Sequence, residues 1–152
     1  MQQQFTNFKE FFRSIQILHG AMLMGVVLIL IIFKFILGIE NRSEGDYLFA
    51  IVGISLAISS LVFGNIIYNK KVEAIKKEQL SVMDRLSQYR EAFIMNLAFL
   101  EGPALTCLIL HFLNGDPLLF YAAVFMIIML VMARPMEEKI TQELGLRSED
   151  IQ

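Results

Sequence analysis

One acidic residue interrupts an otherwise apolar run. It is Glu101, followed at once by Gly102 and Pro103. A carboxyl group at such a place could exchange a proton, hold a cation or anchor a ligand. Proline inside a helix removes a backbone donor and crowds the carbonyl four residues back, here that of Phe99. The triplet therefore predicts a kink with a freed carbonyl near an acid, and in transporters broken helices at that depth line binding sites. Ser59 and Ser60 fall at a similar depth on another apolar run and are candidate partners for the carboxyl group. The structural alternative is a neutral acid hydrogen-bonded to a neighbouring helix, and in so small a protein this reading takes precedence.

The other chemistry-bearing residues do not converge. His19 and His111 fall at opposite depths, which excludes a shared metal site. Met126, Met129, Met132 and Met136 have helical spacing, but methionines so placed ordinarily pack. There is no nucleophile with a base, no glycine-rich phosphate loop and no metal motif, so neither an enzyme nor a metal or other cofactor is expected. Cys107 is the single cysteine, so no disulfide framework exists.

The elements that position Glu101 follow from composition. Apolar residues make up 56% of the chain and charged residues 18%, against roughly 45–50% and about 25% in soluble domains. The excess sits in four blocks, at 15–37, 47–68, 92–113 and 118–133. A block of about 20 residues crosses a hydrocarbon core of about 30 Å as a helix. Backbone groups in lipid must be satisfied within the segment, so each block is read as helix. The expected fold is an all-α integral membrane protein with four transmembrane helices. The first block is longer than a signal-peptide core and is expected to be retained. Glu101 lies nine residues into the third span, roughly 13–14 Å at helical rise, near the midplane. A charged carboxylate there costs about 2.5–3.5 kcal/mol on insertion scales, so it should be protonated, paired or facing a wet cavity.

Punctuation supports the boundaries. Gly38 and Gly115 follow apolar runs where a C′ glycine would sit. Asp116-Pro117 places a capping side chain before a first-turn proline, and the link is so short that spans three and four must be antiparallel neighbours. Of the 13 Lys and Arg residues, only Lys34 and Arg42 fall on the side of the two short loops, beside Glu40, Glu44, Asp46 and Asp116. The rest, from Lys9 and Arg13 through Lys70, Lys71, Lys76, Lys77, Arg85 and Arg90 to Arg134, Lys139 and Arg147, fall on the other. By the positive-inside rule that side is cytoplasmic, so a multi-pass cell-membrane protein, in a bacterium the inner membrane, with both termini inside is expected. With a net charge of −2 and no basic stripe, no nucleic-acid partner is expected.

Two further segments read as interfacial. Phe5, Phe8, Phe12 and Ile15 recur at helical spacing ahead of the first span. In the cytoplasmic linker 69–91, Val72, Ile75, Val82 and Leu86 share a helical face and Glu73 and Lys77 form an i, i+4 pair. Both are expected to lie along the membrane surface, and 134–152 to form a cytoplasmic tail.

A shift of 77 positions brings the first and third spans into register. Arg13, Ile17, Ala21, Leu23, Gly25, Leu28, Ile32, Phe35 and Gly38 meet identical residues from Arg90 to Gly115. This predicts a duplicated helical hairpin with parallel repeats. Spans two and four align poorly. The repeat also marks helix contacts: Ala21 with Gly25 and Ala98 with Gly102, to which the second span adds Gly53 with Ala57 and Ser60 with Gly64. Small residues four apart let helix backbones approach in lipid. Lipid is the expected surrounding. The expected role is a structural or accessory subunit of a homo-oligomer or larger membrane complex, with a proton- or cation-coupled channel or transporter using Glu101 as the alternative.

Overall fold

The computed structural model describes residues 7–36, 47–78 and 80–146. Phe5, Gly38, the loop carrying Glu40, Arg42, Glu44 and Asp46, and Arg147 lie outside the described residues. Among the described residues five helices follow one another: α1 (Phe8–Ile31), with a π-helical turn Ile32–Ile36 at its end, α2 (Tyr47–Lys77), α3 (Val82–Asn114), α4 (Pro117–Met132) and α5 (Glu137–Leu144). No strand occurs among the described residues. The first three are long and apolar enough to cross a membrane, and α4 with α5 passes the same test only as a pair bent by 74°. The protein is therefore all-helical, with three to four helices fit to span.

Local chemistry sets the helix ends. The Asn7 side chain accepts the Glu10 N–H at 2.8 Å and so begins α1. Ser81 does the same for α3 through the Asp84 N–H, and Asp116 for α4 through the Leu118 N–H. Gly115 ends α3 at φ 76°, a left-handed conformation that glycine adopts without a Cβ clash, and its N–H bonds the His111 carbonyl.

Contacts between helices give their directions. Phe11 meets Tyr89 and Phe33 stacks on Phe112 at 4.9 Å, so α1 and α3 run parallel. Gly53 meets Cys107 while Tyr68 meets Tyr89, so α2 runs antiparallel to α3. His19 midway along α1 reaches Leu130 near the end of α4, while Lys34 past the end of α1 sits over the Phe120 ring near the start of α4, so these two are also antiparallel. One end of the bundle thus gathers the starts of α1 and α3 and the finishes of α2 and α4, with Arg13, Arg90 and the α2 lysines among them.

α3 is the hub. It packs against α1, α2 and α4, whereas α1 and α2 barely touch. The expected first hairpin is therefore not formed as a packed unit. α3 and α4 pack closely across their two-residue link, and the contacts do not follow the two-fold pattern that equivalent hairpins would produce.

The described parts of the two segments expected on the membrane surface are built into the long helices of the bundle. α1 is continuous from Phe8, and Phe8, Phe11 and Ile15 turn inward and are buried, with Phe12 half-buried. α2 has 31 residues, about 46 Å at 1.5 Å per residue against a hydrocarbon core of about 30 Å. It and α3 continue as one paired extension past the apolar block. Val72, Ile75 and Leu86 are buried between them, with Val82 half-buried, because the helical period of apolar residues persists after the charges begin. The Glu73–Lys77 pair lies on the outer face at 2.7 Å and is mostly exposed, so it adds little stability. Part of the expected tail is also structured: α5 folds back on α2 and buries Ile140 and Leu144 completely.

Candidate functional site: the two faces of helix three

Glu101 and Pro103 are two residues apart on α3 but serve different neighbours. Pro103 is buried inside the helix and has no N–H to offer the Phe99 carbonyl. Ser60 of α2 supplies the missing donor, its Oγ donating to the Phe99 oxygen at 2.6 Å. Around this bond α2 presents small residues only. Gly53, Ala57, Ser60 and Gly64 are all buried along one stripe facing α3 and α4. A Cβ on Gly64 would stand 2.8 Å from the Phe99 Cβ, and one on Gly53 would collide with the Leu119 side chain. Cys107 Sγ lies 3.5 Å from the Gly53 carbonyl it donates to. The seam is a close backbone approach with its one freed carbonyl satisfied across it.

Glu101 is not part of that seam. It lies half-buried on the side of α3 that faces α1, with Oε1 4.0 Å from the point where a Cβ on Gly25 would stand. Its carboxyl group makes no hydrogen bond or ion pair among the described residues. The serine bond expected from sequence is not made, because Ser60 is taken by Phe99 and Ser59 donates to Leu56 of its own helix at 3.0 Å. The small residues beside Glu101 are open. Ala21, Ala98 and Gly102 are exposed, and a Cβ on Gly102 would meet nothing within 4 Å. Met24 beside Gly25 is 72% exposed, so the line along which α1 and α3 meet at Glu101 is a groove left uncovered among the described residues. Within one chain, then, Gly53, Ala57, Ser60 and Gly64 pack tightly, while Ala21, Gly25, Ala98 and Gly102 border an open groove with an acid in its floor.

Both histidines are satisfied structurally. His19 Nε2 donates to the Leu130 carbonyl at 2.9 Å, tying α1 to α4. His111 Nδ1 lies 2.8 Å from the Asp116 carbonyl and locks the α3–α4 turn. No group of three or more His, Cys, Asp or Glu residues suited to a metal ion occurs among the described residues. Met126 is buried whereas Met132 and Met136 are exposed, so the methionines do not converge on one point.

One cluster escaped the sequence reading. Tyr68 and Tyr89 both donate to Glu143 Oε2, at 2.7 and 2.8 Å, and their hydroxyl oxygens lie 2.8 Å apart. Lys139 approaches the other carboxyl oxygen at 3.8 Å and sits over the Tyr68 ring. The cluster joins α2, α3 and α5 at the basic end. Its members stand 75 and 54 positions from Glu143, and the only sequence signal was the spacing of Ile140 and Leu144 on the helix that carries the acid.

No protein-family model, curated protein or solved structure matches this chain.

Proposed function

We propose that this chain is a structural membrane subunit that assembles with copies of itself through the α1–α3 groove, with Glu101 as the polar contact between copies. The observation that carries the reading is the Glu101 carboxyl group, half-buried and without a partner among the described residues, on a surface of small residues. In lipid there is no hydrophobic drive between helices, so association depends on close van der Waals contact and on interhelical hydrogen bonds. The groove offers both. A second copy related by a two-fold axis would bring two such surfaces together. Two protonated carboxyl groups could then bond each other in place of facing hydrocarbon alone.

The bundle sits in the cell membrane with its basic end, and hence both chain ends, in the cytoplasm. The gathering of lysines and arginines at one end supports this orientation. The test is oligomeric state in mild detergent, by light scattering coupled to size exclusion. Wild type is expected as an oligomer. Glu101→Gln, which can still hydrogen-bond, is expected to keep it, whereas Glu101→Leu and Gly102→Leu are expected to yield monomers with unchanged helical content. A wild-type chain that is monomeric at every protein concentration overturns the proposal.

A further inference from the structure

At its basic end the α1–α3 groove opens into a cleft of about 500 Å³, lined among others by Glu10, Arg13, Ser14, Ile17, Ala21 and Arg90. We infer that this cleft binds a single anionic phospholipid, its phosphate at Arg13 and Arg90 and an acyl chain along Ile17 and Ala21. The inference rests on α1 and α3 being membrane spans, not on assembly through Glu101.

The layout has the polarity of such a lipid. Charge lies at the rim and apolar side chains lie below it, along the direction in which the helices enter the hydrocarbon. Arg13 and Arg90 each stand two residues ahead of an apolar block, at 15–37 and 92–113, which is the level of headgroup phosphates. They come from different helices held side by side at this level by the Phe11–Tyr89 contact, so the cleft exists before a ligand arrives. A guanidinium offers a planar fork of donors that matches two phosphate oxygens, and arginine is weakly hydrated compared with lysine. Basic clefts between spans at the cytoplasmic surface are suited to lipid headgroups. Glu10 sets the charge of the ligand: two arginines against one glutamate leave a single positive charge. That matches a phosphodiester bearing one negative charge and an uncharged headgroup, as in phosphatidylglycerol.

The test is native mass spectrometry of the detergent-solubilised full chain, with phosphatidylglycerol, phosphatidylethanolamine and phosphatidylcholine of identical acyl chains added in equal amounts. Wild type is expected to retain phosphatidylglycerol preferentially. Arg13→Gln should lower that preference about fivefold, from the contribution of one basic group near a charged lipid. Arg13→Lys should keep most of it, and Lys77→Gln, distant from the cleft, should change nothing. Should Arg13→Gln be recovered unfolded, raising the salt with wild type tests the same point, since the preference must then collapse. Glu101→Gln is expected to retain the lipid, so that loss of assembly and loss of lipid are read separately. Three results overturn the inference: equal retention of all three lipids, preference for phosphatidylethanolamine through Glu10, or displacement of phosphatidylglycerol by inorganic phosphate at the same concentration.

Discussion

Helix α3 meets glycine and alanine on two sides, and the two sides have opposite outcomes. Toward α2 the small residues let the helices close until Gly64 touches Phe99, and a polar bond from Ser60 seals the contact. Toward α1 the same residue types leave space, and the polar group there, Glu101, has no partner among the described residues. Smallness permits approach without compelling it. What distinguishes the seam from the groove is a matched donor and acceptor: the carbonyl released by Pro103 meets a serine, whereas the carboxyl of Glu101 stands beside Gly25, which has no side chain to meet it. A seam that is complete stabilises the monomer, and a groove that is incomplete leaves surface for another molecule.

This contrast can be broken at several points. The largest effect is expected from Gly64→Leu, which drives a branched side chain into Phe99 and should destabilise the bundle by about 3 kcal/mol, the upper end for overpacking. The same change at Gly102 should leave monomer stability unaltered, and reversible unfolding in mixed micelles compares the two. Ser60→Ala removes the donor for the Phe99 carbonyl and should cost about 2 kcal/mol for a buried group left unsatisfied. Adding Pro103→Ala restores a backbone N–H to that carbonyl, so the double variant should recover most of the loss. Additive losses in that cycle would show that the two residues are not coupled.

A smaller effect is expected where α5 docks. Tyr89→Phe deletes one bond to Glu143 and should weaken docking by about 1 kcal/mol, seen as faster proteolysis of the chain after Pro135 with the spans intact. Smallest of all is Ser59→Ala. It removes a bond within one helix and should fall within about 0.5 kcal/mol of wild type. A loss at Ser59 equal to that at Ser60 would dissolve the distinction between the two faces.

The helices themselves were legible because hydropathy integrates over about 20 residues, and the alternation of helix direction follows from the Asn114–Pro117 link and the distribution of basic residues. Partner choice was not legible. Ala21 with Gly25 reads the same as Gly53 with Ala57 in the chain, yet only the second pair is covered, because what lies opposite is decided by distant segments. The extension of α2 and α3 was hidden for another reason. Lys70, Lys71, Lys76 and Lys77 end the apolar signal by which a span is recognised, while Val72 and Ile75 carry the helical period onward beneath them. Glu101 and Pro103 were visible as an unusual neighbourhood, and that adjacency suggested one site. Two residues of helix turn their directions roughly 200° apart, so one residue serves the seam and the other the groove.

The order of elements along the chain has a consequence for biosynthesis. α1 and α2 leave the ribosome first, yet they hold each other hardly at all, and every extensive contact that either makes with another span involves α3 or α4. Two inserted segments must therefore wait apart, each surrounded by acyl chains, until the third enters and gathers them. Truncation after α2 should yield two helices tethered by their loop but not packed on each other, exposed to quality-control proteases.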